Sequence, residues 1–182
     1  MTTQQISFAE LQDLPAQQQY RMRRLQVYNW GTFSGLHDIN IAEQGFLFVG
    51  RSGSGKSTLL DALTSLLIPP QWQVFNAAAR EGERNRRDRN LATYIRGAWG
   101  EQKDGDSGEI AAQFLRKGTT WSALALTFAN KEGKIITLIQ IFWLRGTVSG
   151  SQDVKRHYMI AERPFEISNE LNDFDLDGQE PG

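Results

Sequence analysis

The chain has 182 residues, of which 40% are hydrophobic and 23% are charged, and its formal net charge is −1. This balance predicts one compact domain or part of one and excludes a disordered chain, while the absence of cysteine excludes disulfides and thiolate metal sites. Because no apolar run approaches the roughly 20 residues of a membrane span and the N-terminus lacks the layout of a signal peptide, a cytoplasmic location is expected.

The first elements lead into a glycine-rich loop. Residues 1–20 are rich in glutamine and are predicted to form a mobile N-terminal arm ahead of a domain over 21–182. Strands are predicted over 21–30 and 37–41, because apolar positions alternate there. A turn between the two strands makes them a hairpin.

The segment Gly50–Ser57, with the sequence Gly-Arg-Ser-Gly-Ser-Gly-Lys-Ser, matches the phosphate-binding loop, or P-loop. The apolar run 46–49 predicts a buried strand before it, and a helix is predicted from Lys56 until Pro69. Glycines let the backbone N–H groups turn toward phosphate, and the helix N-terminus adds its positive dipole. A chance match is disfavoured by this context, so the sequence predicts a nucleoside triphosphate site.

Individual side chains of the loop have separate predicted roles. Lys56, the candidate catalytic residue, is expected to reach the β- and γ-phosphates, and the Ser57 hydroxyl is expected to bind Mg²⁺. Thr58 is expected to contact phosphate from the next helical position. The predicted nucleotide-binding residues of this segment are Gly50, Arg51, Ser52, Gly53, Ser54, Gly55, Lys56, Ser57 and Thr58. The leucines at 59, 60, 63, 66 and 67 are expected on one apolar face of the helix.

Less regular sequence follows, and then a second hairpin. Residues 71–109 are polar and predict only a short helix over 90–99 and an exposed loop over 101–108. Strands are predicted over 121–128 and 134–144, joined by the turn Asn-Lys-Glu-Gly, with a further strand over 156–161. This is an antiparallel pattern, whereas small P-loop kinases alternate strands and helices in a parallel sheet.

Charge is distributed unevenly. Residues 80–96 carry six arginines and three acidic residues, a balance of +3, whereas residues 162–182 carry seven acidic residues and one arginine, a balance of −6. A sequence-independent contact with DNA phosphate is predicted for the arginine patch, defined as Arg84, Arg86, Arg87 and Arg89. The alternative is a solvated charged loop. No role is predicted for the acidic tail.

After residue 58, no apolar run ends in the aspartate or glutamate that P-loop enzymes use to hold Mg²⁺ and order water. The sequence therefore predicts either an unfamiliar arrangement or half of an active site. We expect the chain to bind nucleotide without hydrolysing it alone.

Together these segments resemble a known family. Leu25–Phe33, Gly50–Leu63, the pair Pro69-Pro70 and the stretch 76–79 resemble the head of condensin-like SMC ATPases, over about residues 21–165. Within that superfamily the Asn-Trp-Gly-Thr-Phe stretch is most similar to JetC, the ATPase subunit of Wadjet anti-plasmid systems, near the MksB and MukB branch. The resemblance implies the N-terminal lobe of an ABC/SMC-type head, an α/β fold with a mixed sheet, antiparallel hairpins and a P-loop helix. The C-terminal lobe, the coiled coil and the hinge are expected to be absent from this sequence.

The resemblance also implies roles for scattered residues. Arg96 matches an arginine that lies near nucleotide and DNA, the alternative being a solvated helix arginine. Gln140 matches the glutamine that senses Mg²⁺, the alternative being a strand residue that faces solvent. Trp30 and Thr32 are candidates to wall the adenosine, although Trp30 also suits a core position.

In this family two heads bind ATP·Mg²⁺ between them and separate on hydrolysis, which drives DNA loop extrusion. The implied partners are the C-terminal lobe of the same head, a second SMC head, kleisin and winged-helix subunits, a nuclease subunit in a Wadjet-type complex, and double-stranded DNA. The implied location is the nucleoid of a bacterial cell. Chromosome-maintenance (MksB-like) and DNA-repair (Rad50/SbcC-like) ATPases remain alternatives, and a small P-loop kinase is a more distant one.

Overall fold

The computed structural model of the chain describes residues 18–75, 90–103, 110–148 and 150–175. Most of the predicted mobile arm, the whole arginine patch and the end of the acidic tail lie outside these ranges. None of the helices within them is long and apolar enough to cross a membrane.

Five strands form the main sheet. The strands of the described residues are β1 (Arg21–Tyr28), β2 (Leu36–Asn40), β3 (Ala98–Lys103), β4 (Ile110–Phe114), β5 (Thr120–Ala129), β6 (Ile135–Leu144) and β7 (Lys155–Ala161). The main sheet has the order β2-β1-β5-β6-β7, and β3 pairs separately with β4. Every pairing between these described strands is antiparallel. The α/β fold class is confirmed, as are both predicted hairpins and the strand near 156–161.

The turn between β5 and β6 follows from its residues. The side-chain oxygen of Asn130 accepts hydrogen bonds from the backbone N–H groups of Glu132, at 3.0 Å, and Lys134, at 2.9 Å. Gly133 has a φ of +80°, which a residue with a Cβ adopts only with strain. The turn sets a register in which Trp121 lies opposite Trp143.

The β3–β4 hairpin was not predicted. The sequence of β3, Ala-Trp-Gly-Glu-Gln-Lys, has no apolar alternation, and the exposed loop predicted over 101–108 begins within this strand. The pairing continues beyond Ala98 and Phe114, through backbone hydrogen bonds from Leu115 N–H to the Gly97 carbonyl at 3.1 Å and from Arg116 N–H to the Arg96 carbonyl at 3.0 Å. The base of the hairpin is thereby joined to the residues that end the short helix over 91–96.

Three α-helices lie in the described ranges, α1 (Lys56–Leu67), α2 (Leu91–Arg96) and α3 (Ile167–Glu170). The prediction for α1 is confirmed at both ends, whereas α2 is shorter than predicted. One part of the α1 prediction is wrong, because Leu60 and Leu67 are exposed while Ala62 and Ser65 are buried. The sheet covers only a narrow stripe of this helix.

The main sheet is covered on both faces. One core lies between the sheet and helices α1 and α2; its buried members are Leu25, Val27, Trp30, Leu59, Ala62, Leu91, Ala92, Tyr94, Ile95, Leu124, Leu126, Phe142, Leu144 and Val154. The other core is closed by residues 165–174, which we call the C-terminal strap; its buried members are Trp121, Ala123, Ala125, Ile139, Ile141, Trp143, Phe165, Ile167 and Leu171. Because both faces are buried, β6 is apolar along nearly its whole length.

Polar side chains of β1 hold the strap in place. The fully buried Gln26 donates to the Phe165 carbonyl at 2.6 Å and accepts from the Ile167 N–H at 3.2 Å. Arg24 donates to both carboxylate oxygens of Asp38 and to Glu166. The strap thus satisfies polar groups that would be costly to bury alone.

Candidate nucleotide-binding site

The predicted loop is formed by a tight backbone path that ends at the first residue of α1. Gly53 has a φ of +80°, and Gly55, the residue that caps α1, has a φ of +91°. A Cβ at Gly50 would lie 2.6 Å from the Ser54 Oγ. The three glycines therefore meet conformational or steric demands, as the motif requires.

Lys56 lies across this loop. Its ammonium group donates to the carbonyl oxygens of Gly50, at 2.7 Å, and Arg51, at 2.8 Å, and contacts the Ser54 Oγ at 3.4 Å. The ammonium is therefore held against the backbone that is predicted to bind phosphate. Ser57 follows it at the start of α1 and is half-buried.

The electrostatics of the helix start suit an anion. Helix α1 has twelve residues, and no acidic side chain lies in its first turn to neutralise the positive end of its dipole. Exposed backbone lies next to this end, because residues 50–54 are all exposed. Together with Lys56, this donor set fits a triphosphate.

A turn formed by residues 30–33, which we call the supporting turn, packs against the start of α1. The indole N–H of Trp30 donates to the Thr58 carbonyl at 2.9 Å. Trp30 is fully buried and stacks on Tyr94, with ring centroids 4.8 Å apart, so it takes the core alternative that the sequence allowed. Thr32, the other candidate for the adenosine wall, is exposed.

Asp61 and Tyr94 join α1 to α2, and sequence reasoning assigned neither a role. Asp61 is buried one turn beyond Ser57, and the Tyr94 hydroxyl donates to its Oδ2. The sequence carried no signal for this pair, because Asp61 lies opposite the leucine face that was predicted to be buried. Once buried, a carboxylate requires such a partner. The bond fixes the helix that carries Lys56.

The structure places Arg96 inside the protein. Only 2% of the residue is exposed, so the alternative of a solvated helix arginine is wrong. Its guanidinium donates to the carbonyls of Val148 (2.7 Å), Gly146 (2.8 Å), Gly118 (2.9 Å) and Arg116 (3.3 Å). Burial lowers the pKa of this guanidinium. Arg96 holds two loop segments together, 116–118 and 146–148, and its predicted contact with nucleotide stays a prediction.

Gln140 is also buried, with 2% exposed, so the solvent-facing alternative is wrong for this residue too. Its amide oxygen accepts from the Ser65 hydroxyl at 2.8 Å, and its amide nitrogen donates to the Ser65 carbonyl at 2.8 Å. Gln140 thereby links β6 to the C-terminal half of α1. The role of Gln140 as a Mg²⁺ ligand remains a prediction.

The apolar segment before the loop differs from its prediction. Residues 45–50 form no strand, and Leu47 and Val49 are each 79% exposed, so the prediction of a buried strand here is wrong for this chain by itself. Of the four residues of the apolar run 46–49, only Phe48 packs against the core. No strand of the described residues pairs with the segment, and Leu47 and Val49 are left exposed.

Comparison with known proteins agrees with the loop. The family model for the P-loop containing region of the AAA domain matches residues 22–82, which is one third of the chain. None of the curated proteins matches the chain. The matched region contains β1, β2, the supporting turn, the loop and α1. Residues 22–82 are therefore similar to a P-loop region, which supports nucleotide binding at this loop.

Proposed function

We propose that the chain is the ATP-binding N-terminal lobe of an SMC-like ATPase head, whose ATP-driven engagement with a second head powers DNA loop extrusion in a bacterial anti-plasmid complex of the Wadjet type. The observation that carries this proposal is the contact between the supporting turn and the P-loop helix, from Trp30 to the Thr58 carbonyl. Two of the sequence segments on which the family resemblance rests are thus packed together.

In this proposal the loop binds ATP·Mg²⁺. The backbone of residues 50–55 and the Lys56 ammonium hold the phosphates, and the Ser57 hydroxyl is the Mg²⁺ ligand. Bound Mg²⁺ neutralises phosphate charge during phosphoryl transfer. The fit is supported by the positive φ of Gly55 and by the absence of an acidic side chain in the first turn of α1.

The exposed apolar surface beside the loop supports the proposed partner lobe. Phe46, Leu47 and Val49 are exposed in a segment whose sequence suits a buried strand, and Leu60 and Leu67 are exposed on α1. We assign this surface to the C-terminal lobe of the same head. That lobe would supply a neighbouring strand, the water-ordering acid and the signature segment for the opposing head.

The remaining partners belong to the same proposal. A second head, kleisin and winged-helix subunits and a nuclease subunit would complete the complex, and double-stranded DNA would contact the arginine patch. Chromosome-maintenance and DNA-repair ATPases use the same head, so co-purification with a kleisin or with a repair nuclease separates these alternatives. The antiparallel main sheet argues against a small kinase, which needs a parallel one.

The test is Mg²⁺-dependent ATP binding and turnover by this chain, with Lys56→Ala as the variant. The proposal expects binding without turnover, and loss of binding in the variant because the ammonium against the loop is removed. Steady turnover by the chain alone would overturn the split active site. Absence of binding by the native chain would overturn the nucleotide-binding function itself.

A further inference from the structure

The supporting turn contacts the start of α1 on both sides of Lys56. On one side a Cβ at Gly55 would stand 2.7 Å from the Cζ of Phe33. On the other side Trp30 donates to the Thr58 carbonyl at 2.9 Å. A Cβ at Gly31 would be 2.5 Å from the Thr58 methyl carbon. The position of the loop backbone therefore depends on the position of this turn.

Arg116, which follows β4, holds the supporting turn from behind. Its Nη2 donates to the Gly31 carbonyl at 2.8 Å, and its Nη1 lies 3.5 Å from the Phe33 carbonyl. The same guanidinium donates to the carbonyls of Ile95 at 2.6 Å and Tyr94 at 3.0 Å, in the last turn of α2. Arg116 thus joins the turn to a helix that packs in the core.

Only arginine suits this position among the basic residues. A planar guanidinium offers five N–H donors in a fixed fork, whereas a lysine ammonium is a single point with a flexible stem. The four acceptors around Arg116 are main-chain carbonyls, and the ones from α2 lie at the negative end of that helix. Burial lowers the pKa of Arg116 to about 10, which leaves the group charged at neutral pH.

We infer that Arg116 is a positioning residue for nucleotide binding, which holds the supporting turn against Gly55 and Thr58 and so fixes the P-loop backbone in its phosphate-binding conformation. Arg116 acts through the turn and does not itself touch the nucleotide. The inference rests on the proposed nucleotide-binding function and adds a residue to it that the loop motif does not contain.

The first measurement is the affinity of Arg116→Lys for a fluorescent ATP analogue with Mg²⁺, at a temperature where the native chain and the variant are both folded. We expect about tenfold weaker binding, because the lysine keeps the charge and loses the fork. The matched control is Arg24→Lys, since Arg24 also makes several side-chain hydrogen bonds but holds β2 and the strap. The affinity of Arg24→Lys should stay within about twofold of the native value, a much smaller change than the roughly tenfold loss expected for Arg116→Lys.

The second measurement needs no nucleotide. Amide hydrogen exchange over residues 50–58 should be faster in Arg116→Lys than in the native chain and unchanged in Arg24→Lys. Where Arg116→Lys does not fold, Phe33→Ala replaces it, because that variant removes the contact with Gly55 while Arg116 stays. Its affinity and exchange are expected to change in the same direction.

The outcomes separate the two hypotheses. Unchanged affinity and unchanged exchange in the folded Arg116 variant, or equal losses in Arg24→Lys, would overturn the positioning role while the nucleotide site stands. If the native chain binds no ATP analogue, the proposed function fails, and the exchange comparison still decides whether Arg116 orders the loop.

Discussion

The ring of Phe33 lies against Gly55, so that a Cβ at the glycine would stand 2.7 Å from the Phe33 Cζ. The two residues are 22 positions apart, one in the supporting turn and the other at the cap of α1. Gly55 also has a φ of +91°. A glycine of the motif is therefore required here for its conformation and for its lack of a side chain.

This relationship predicts that Gly55→Ala destabilises the chain more than Gly53→Ala. Both glycines have positive φ, but a Cβ at Gly53 would have no atom within 4 Å. The conformational cost is about 1–2 kcal/mol at either position, and the contact with Phe33 adds to it only at Gly55. Urea denaturation of the two variants measures the difference. Equal losses of unfolding free energy would mean that the ring moves aside freely.

Gln140→Leu is expected to lower the free energy of unfolding by about 1–3 kcal/mol, because it leaves the Ser65 hydroxyl without its buried acceptor. Ser65→Ala removes the same hydrogen bond from the other side. The costs of the two substitutions should therefore not add in the double variant, which a denaturation cycle measures.

The same pair tests the predicted role of Gln140 toward Mg²⁺. If Gln140 binds the ion, Gln140→Leu weakens the Mg²⁺ dependence of ATP binding, whereas Ser65→Ala leaves it unchanged. Identical Mg²⁺ dependence in both variants would mean that Gln140 has only a structural role, which is to link β6 to α1.

Asp38→Asn tests the ion pair between β1 and β2. The Arg24 guanidinium donates to both oxygens of Asp38 and lowers the pKa of that carboxyl below its ordinary value of 3.8. A lowered folded pKa stabilises the protein above the unfolded pKa, and the contribution is lost as the pH falls through the folded value. At pH 7 the free energy of unfolding of the native chain should exceed that of the variant by roughly 0.2–1 kcal/mol, as measured for other exposed ion pairs.

This difference in the free energy of unfolding should therefore shrink as the pH is lowered from about 5 to about 2. Chemical denaturation across this range, with and without added salt, measures it. A difference that persists at the acid end, or that ignores salt, would assign the effect to something other than the charge.

Leu47→Lys is expected to change the free energy of unfolding by less than about 0.5 kcal/mol, because 79% of Leu47 is exposed. Leu25→Ala provides the contrast, since that side chain is fully buried and its truncation should lower the free energy of unfolding by about 2–5 kcal/mol.

In the proposed complex, Leu47→Lys should instead block association with the C-terminal lobe, which co-purification measures. Normal association would remove Leu47 from that interface.

Elements with a strong local signal were predictable from the sequence. Asn130 and Gly133 specify the β5–β6 turn through side-chain acceptors and positive φ, and the loop glycines specify the start of α1. The β3–β4 hairpin was not predictable, since β3 carries no apolar alternation and the turn between the strands has no local signal that was recognised.

Buried polar residues were the least predictable part of the site. Gln140, Arg96 and Gln26 resemble surface residues in sequence, because glutamine and arginine are mostly exposed in proteins. Each is buried here because main-chain groups from distant segments satisfy it. No pattern within one element reveals a partner that lies 22 to 139 positions away.

The sequence by itself determined the phosphate-binding loop and its helix, because glycine conformation, the helix dipole and the lysine are properties of adjacent residues. Only the tertiary structure decided that the supporting turn packs against this loop, that Arg116 holds the turn, and that Leu47 and Val49 stay exposed. Those relationships depend on which distant segments meet, and burial, steric contact and hydrogen-bond partners exist only once they have met.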